Sequence, residues 1–242
     1  MAYWTSFGAS VIGPGHLSTR TPNQDSWSAF HRSFCDGIVV SDGVGSKGFS
    51  HFGSAAACMA VERAAFSMWI NESDALDEDF LDDVRDYWIE HIAPLEPRSA
   101  AATCLFGIIF NSMVWIGLLG DGCAAVIRKD GRVTILSDDK TGSFSNVAEP
   151  LSATVSADKW KLACIPESEC EAVVLCTDGV SDDIVGDDNL RGFLKGFVES
   201  SSEMATISAT KAATEMLENW PTPKHTDDKT IACLLKNEVE DE

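Results

Sequence analysis

Short apolar runs and alternating stretches dominate this chain, and two longer segments carry helical spacing. Trp4 to Ile12 reads as a strand that enters a Gly13-Pro14-Gly15 turn. Ser26 to Phe30 alternates polar and apolar residues, as a half-buried strand does, and Gly37 to Ser41 is a short apolar run that ends at Asp42-Gly43. The Gly-rich segment from Asp42 to Gly53 reads as a loop. From Ser54 to about Ile70, Ala56, Met59, Ala60, Arg63 and Phe66 fall near helical spacing. From Leu76 to about His91, Phe80, Val84, Tyr87, Trp88 and His91 define one helical face, with aspartates on the other.

The middle of the chain is rich in strands. Ala102–Phe110, Val114–Leu119 and Cys123–Arg128 follow one another, and Asp130-Gly131 turns the chain into Val133–Leu136. A polar stretch from Ser137 to about Ser156 reads as a functional loop. Trp160–Cys164 and Val173–Cys176 return to strand. Asn189–Val198 and Glu203–Leu217 predict two helices, the second capped by Ser201 or Ser202, before a last strand at Thr230–Leu235. Strand and helix do not alternate strictly, so a doubly wound parallel sheet does not fit. The order predicts an α+β fold, a four-layer α-β-β-α sandwich with two central, mainly antiparallel sheets. Residues 1–242 are expected to form a single domain, with a short flap-like loop at about 137–156 and an acidic tail at 237–242.

Composition narrows the function. With 18 Lys+Arg against 38 Asp+Glu, the net charge is −20 over 242 residues. Such a surface repels phosphate backbones and excludes nucleic acid as a partner. No run is apolar enough to span a bilayer, and the start has no basic region followed by an apolar stretch, so neither a membrane segment nor a secretory leader is expected. The 8 cysteines are scattered with no Cys-x-x-Cys pair, which suits buried thiols in a reducing cytoplasm.

The charge also gathers into short acidic stations, most of them at expected strand ends: Asn23-Gln24-Asp25, Asp42-Gly43-Val44-Gly45, Gly120-Asp121, Asp178-Gly179 with Asp182, and Asp227-Asp228. Carboxylates delivered from distant strand ends can converge on one point. There they repel each other unless a cation lies between them, and a hard divalent ion liganded by oxygen resolves the conflict. The pattern points to metal-assisted hydrolysis. Each Asp-Gly alone is an ordinary turn; the ordered set is the signal.

That set, with Arg20 before Asp25 and Thr177 and Thr230 flanking the last two stations, resembles the metal-dependent serine/threonine protein phosphatases of the type 2C class, in particular their short bacterial branch. The resemblance covers residues 5 to 235. It implies a β-sandwich with two Mn²⁺ or Mg²⁺ ions at one end, and a third, weaker site. By the motifs, Asp42 would bridge both ions, the Gly43 carbonyl would hold one, and Asp178 and Asp227 would complete the other, with Asp228 the alternative if the register slips by one. Asp121, with Asp178 and Asp182, matches the third site. Asp25 would act through water, Asp228 stands where an asparagine is common, and Arg20 aligns with the arginine that binds phosphate. Asp25 and Arg20 are thus the catalytic candidates outside the metal ligands.

The resemblance implies hydrolysis of phosphoserine and phosphothreonine in proteins by a metal-bridged water or hydroxide attacking phosphorus. The partner would be a phosphorylated protein, a kinase or a kinase target, and the enzyme a monomer in the cytoplasm. Two departures stand out. Val44 occupies the place of a histidine proposed to protonate the leaving alcohol, and Gln24 the place of an acidic residue; His16 and His51 are the nearby candidates for a general acid. The competing readings are a non-catalytic phosphoprotein-binding module on the same fold and a phosphomonoesterase for a small metabolite.

Overall fold

The first alternating stretch folds as strand β1 (Ala2–Val11), which pairs antiparallel along its whole length with the last strand, β10 (Lys229–Glu238). In this computed structural model, residues 2–137, 149–221 and 226–238 are described. β1 and β10 belong to a five-stranded sheet of order β1-β10-β9-β6-β7, built with β6 (Cys123–Arg128), β7 (Val133–Ser137) and β9 (Cys170–Cys176). A second five-stranded sheet has the order β2-β3-β4-β5-β8, from β2 (Asp25–His31), β3 (Asp36–Asp42), β4 (Cys104–Phe110), β5 (Met113–Leu119) and β8 (Lys161–Pro166). All pairings within both sheets are antiparallel.

The apolar runs are continuous because both faces of the central strands are covered. Successive side chains point to opposite faces. In β3, Ile38 and Val40 enter the core between the sheets while Val39 enters the outer core; in β9, Val173 and Leu175 face inward while Ala172, Val174 and Cys176 face the other way. The outer layers are α2 (Ser50–Ile70) and α3 (Glu78–Ile92) on one side, and α5 (Asp187–Ser201) and α6 (Thr206–Glu218) on the other. This is the four-layer α+β sandwich that the order of elements predicts. α3 starts where Asp77 accepts a hydrogen bond from the Phe80 amide (3.3 Å), and its buried Trp88 donates its indole N–H to the Gly53 carbonyl of α2 (3.0 Å).

Several local expectations need correction. The Gly13-Pro14-Gly15 turn is the start of a short helix, α1 (Pro14–Thr19), with Gly13 extended at its N-cap and Pro14 in the first turn, where its missing N–H costs nothing. α2 begins at Ser50, inside the segment read as a loop. Neither Ser201 nor Ser202 caps α6: its N-cap is Ala205, and those hydroxyls donate back to the carbonyls of Phe197 and Glu199. A four-residue helix, α4 (Asp178–Ser181), is too short to leave a periodic signature. β10 runs to Glu238, so the expected tail at 237–242 begins inside a strand; 239–242 lie outside the described residues. Most of the flap-like loop, 138–148, also lies outside them. Its far end is tied down, since Leu151 is fully buried and donates its amide to the Ala102 carbonyl (2.8 Å).

Candidate active site

One end of the sandwich collects the acidic stations. Asp25 and Asp42 are directly opposed in the β2–β3 ladder, which starts their side chains roughly 5 Å apart. Asp121 lies in the turn where the chain crosses from β5 of one sheet to β6 of the other. That turn requires Gly122: its φ is +108°, and a Cβ there would fall 2.7 Å from the Cys176 carbonyl oxygen. β9 ends beside it, and Asp178 opens α4 directly afterwards. Carboxylate oxygens of Asp42, Asp121 and Asp178 come within 4.8 Å of one another. Asp227, just before β10, is near enough for its charge to act on Asp42. Gly179 allows this approach, because a Cβ there would lie 2.0 Å from the Asp228 carbonyl oxygen.

Hydroxyls fix the second rank. Asp25 Oδ2 accepts hydrogen bonds from Thr177 Oγ1 (2.9 Å) and Thr230 Oγ1 (2.7 Å). Ser10 Oγ lies 2.7 Å from Thr230 Oγ1 and accepts from Asn23 Nδ2 (2.9 Å), so a polar relay links β1, β2, β9 and β10. Thr103 holds Asp42 from behind: its hydroxyl accepts from the Asp42 amide (2.8 Å), and its own amide donates to the Asp42 carbonyl (2.7 Å). Thr177 and Thr230 stand inside the acidic motifs, so their position beside a carboxylate was a usable signal. Ser10 and Thr103 carried none.

Asp228 does a different job from Asp227. It is buried, and its two oxygens accept from the Gly13 amide (2.7 Å), the Gln24 amide (2.6 Å) and His16 Nδ1 (2.8 Å). Gln24 continues the line through its carbonyl, which accepts from the Gly43 amide (3.0 Å). One carboxylate thus joins the head of α1, the start of β2 and the entry to β10. Single oxygens of Asp227, Asp228 and a nitrogen of His16 also lie within 4.8 Å of one another.

The remaining candidates are more peripheral. Asp182 ends α4 and is not one of the three converged carboxylates. Arg20 is exposed at the end of α1, in a left-handed conformation (φ 59°), and pairs with no carboxylate among the described residues. His16 lies on the acidic cluster, whereas the His51 ring packs 4.3 Å from the ring of Phe52. Val44 is half-buried and donates its amide to Ala101 (3.0 Å). A cavity of about 530 Å³ opens beside Asp227, with Pro14, Leu17, Leu217 and Trp220 among its apolar walls and Lys229 among its polar ones.

The electrostatics are those of crowded anions. Burial, above all, pushes the Asp25 carboxyl up to about 7, with the charge of Asp228 adding to it and the threonine hydroxyls opposing. Asp42 is pushed up to about 11, by burial first and then by the charges of Asp25, Asp178 and Asp227. Protons and cations compete for such a site. A donor set made only of oxygen, with negative charge in excess, fits a hard divalent ion such as Mn²⁺ or Mg²⁺.

A stability prediction follows from the direction of these shifts. In the unfolded chain both carboxyls lose their protons near 4. The metal-free fold therefore binds more protons than the unfolded chain from about pH 4 up to the raised values, and its stability falls as pH rises through that window. In EDTA, Tm should be lower at about pH 8 than at about pH 5, and added Mn²⁺ should raise Tm more at the higher pH. A metal-free Tm that climbs over this interval would contradict the crowding.

A profile of the family described as Protein phosphatase 2C matches residues 12–220. A comparison with curated protein sequences finds no match. Among solved structures, the chain is similar to a bacterial serine phosphatase, at 16% identity over 99% of this chain and 100% of that one, with a TM-score of 0.67. It is also similar to the serine/threonine phosphatase Stp1 from Staphylococcus aureus, at 14% identity, 98% and 96% coverage, and a TM-score of 0.66. A structure of RsbX in complex with magnesium matches at 15% identity, 97% and 96% coverage, and a TM-score of 0.62. At such identities the likeness concerns the fold. The profile, however, spans most of the chain and takes in the stations from Asp25 to Asp182, and the chain belongs to the protein phosphatase 2C family.

Proposed function

We propose that this chain is a divalent-cation-dependent phosphatase acting on phosphoserine and phosphothreonine in proteins. The observation that carries the reading is the convergence of Asp42, Asp121 and Asp178 within 4.8 Å, with Asp25 opposite and Asp227 close by. Asp42, the Gly43 carbonyl, Asp178 and Asp227 would hold two Mn²⁺ or Mg²⁺ ions, and Asp121 with Asp178 and Asp182 a third. Bound there, such ions lower the pKa of water and neutralise charge on a phosphoryl group. The chain's own residues supply the rest. Thr177 and Thr230 hold Asp25 facing Asp42, Thr103 fixes the Asp42 backbone, and Arg20, exposed at the end of α1, would pair with phosphate oxygens.

A phosphorylated kinase or kinase target is the partner we propose, and a reducing cytoplasm the compartment. All eight cysteines are free, and all but Cys164 are buried. No helix among the described residues is long and apolar enough to cross a membrane.

The test is hydrolysis of a phosphothreonine peptide and of p-nitrophenyl phosphate by purified protein. Both should be turned over with Mn²⁺ and by neither metal-free protein nor protein in excess EDTA. Turnover of small phosphate esters alone would move the reading to a metabolite phosphatase. Tight binding of the phosphopeptide without turnover would make the chain a binding module and sink the proposal.

A further inference from the structure

Helix α2 carries apolar side chains on both faces, and only one face is covered. Its inner face, from Ala56 and Ala57 through Ala60, Val61, Ala64 and Ala65 to Met68, is buried against α3 and the second sheet. Its outer face exposes Phe52 (53%), Met59 (56%), Phe66 (50%), Trp69 (43%) and Ile70 (57%). Several large apolar side chains gathered on the open face of a helix mark a contact surface. The exposed positions 52, 55, 59, 63, 66 and 70 are spaced by three or four, with exposed Trp69 and half-buried Glu62 beside them. That is the narrow seam of a helix packed against another helix, not the broad face of a globular core.

The seam is also prepared for contact. Phe34 stacks on Trp69 at 4.7 Å between ring centroids, and Phe66 lies 5.9 Å from Trp69. A hollow of about 320 Å³ beside Met59, Phe66 and Phe34 can take a side chain from outside. The five exposed side chains offer on the order of 500 Å². That approaches the upper limit of what a monomer leaves bare, and is over half of the ~800 Å² per partner of a standard interface.

We propose that the seam is covered by a second copy of this chain, with the two α2 helices antiparallel across a two-fold axis at residues 62 and 63. The seam is self-complementary in that orientation. Ala55 would lie opposite Ile70 of the other copy, small against large; Met59 would lie opposite Phe66; and Glu62 would lie opposite Arg63, twice. Charge selects the same place. The chain carries −20, yet Arg32 pairs with Glu62, and Arg63 with Glu90 at 2.5 Å, so the charges at the middle of the seam cancel. Two such chains meet there with less repulsion than the net charge implies, and what remains is long-range and screened by salt. The contact replaces the monomer expected from the sequence.

Sedimentation equilibrium of the full chain tests this. At about 100 µM the protein should be a dimer, and the dimer should tighten as salt rises to about 0.5 M. Met59→Glu with Phe66→Glu should weaken it at least about 100-fold; both residues are exposed, so the fold is spared. Arg63→Glu should weaken it about tenfold, and Glu62→Arg added to Arg63→Glu should restore it. A monomer at both salt concentrations overturns the proposal. So does a dimer indifferent to Met59→Glu/Phe66→Glu, and failure of the charge swap to rescue overturns the antiparallel pairing.

Discussion

Asp42→Asn should abolish Mn²⁺-dependent phosphate-ester hydrolysis, by about 10³-fold or more in kcat, while leaving the metal-free fold more stable than the parent. The loss follows from the place of Asp42. It faces Asp25 across a ladder and meets Asp121 and Asp178 within 4.8 Å, so it is the carboxylate that joins the two groups. Charge stabilisation of phosphoryl transfer by metals amounts to several kcal/mol, which is about three powers of ten in rate. The gain in stability follows from the charges of Asp25, Asp178 and Asp227, all of which oppose ionisation of Asp42. An amide of the same shape is neutral without holding a proton, so the fold no longer keeps a carboxyl protonated far above its ordinary range. Thermal melts in EDTA read this directly: Tm of Asp42→Asn should equal or exceed that of the parent at about pH 8, and the rise with Mn²⁺ should vanish. A variant that melts earlier without metal would show that Asp42 holds the fold rather than a cation.

Asp227 and Asp228 are neighbours in sequence, yet their substitutions should have opposite signatures. Asp228 is buried, and it satisfies the amides of Gly13 and Gln24 as well as His16. Asp228→Ala leaves two buried amide donors without acceptors, at about 1–3 kcal/mol each, so a loss of about 3–5 kcal/mol is expected. For a protein of ordinary marginal stability that is a large share of the total. Asp227→Asn keeps those bonds; its expected effect is on metal affinity and turnover, with Tm in EDTA nearly unchanged. Urea unfolding and Mn²⁺-dependent activity, measured on both variants, separate the roles. Equal destabilisation by the two would merge them and contradict the division drawn here.

Much of this was readable along the chain, for identifiable reasons. β3 and β9 were legible because strands buried on both faces are apolar throughout and stop abruptly at Asp42 and Thr177. The carboxylates were legible because their strand ends recur in a fixed order. What the sequence concealed depends on contacts between distant residues. α1 looked like a turn because Gly13-Pro14-Gly15 suits a turn equally well, and the hydrogen bond from Gly13 to Asp228, 215 residues away, helps hold it as a helix start. Asp228 could be read only as a supporting group or as the alternative ligand to Asp227, because burial is invisible in a pair of aspartates. Thr103 and Ser10 gave no signal, since a hydroxyl in such a stretch is commonplace until it meets the Asp42 amide or the Thr230 hydroxyl. The outer face of α2 was hidden for the opposite reason. Its residues show helical spacing along the chain, and only the packed molecule shows which of them the core leaves out.

The measurement that bears most directly on the central claim is calorimetric titration of metal-free protein with Mn²⁺ near neutral pH, in buffers of differing ionisation enthalpy. The predicted result is about two ions bound per chain with release of protons, since Asp25 and Asp42 are held above their ordinary range without a cation, and no such binding in Asp42→Asn. Undetectable Mn²⁺ binding, or binding that survives Asp42→Asn without proton release, would contradict the account.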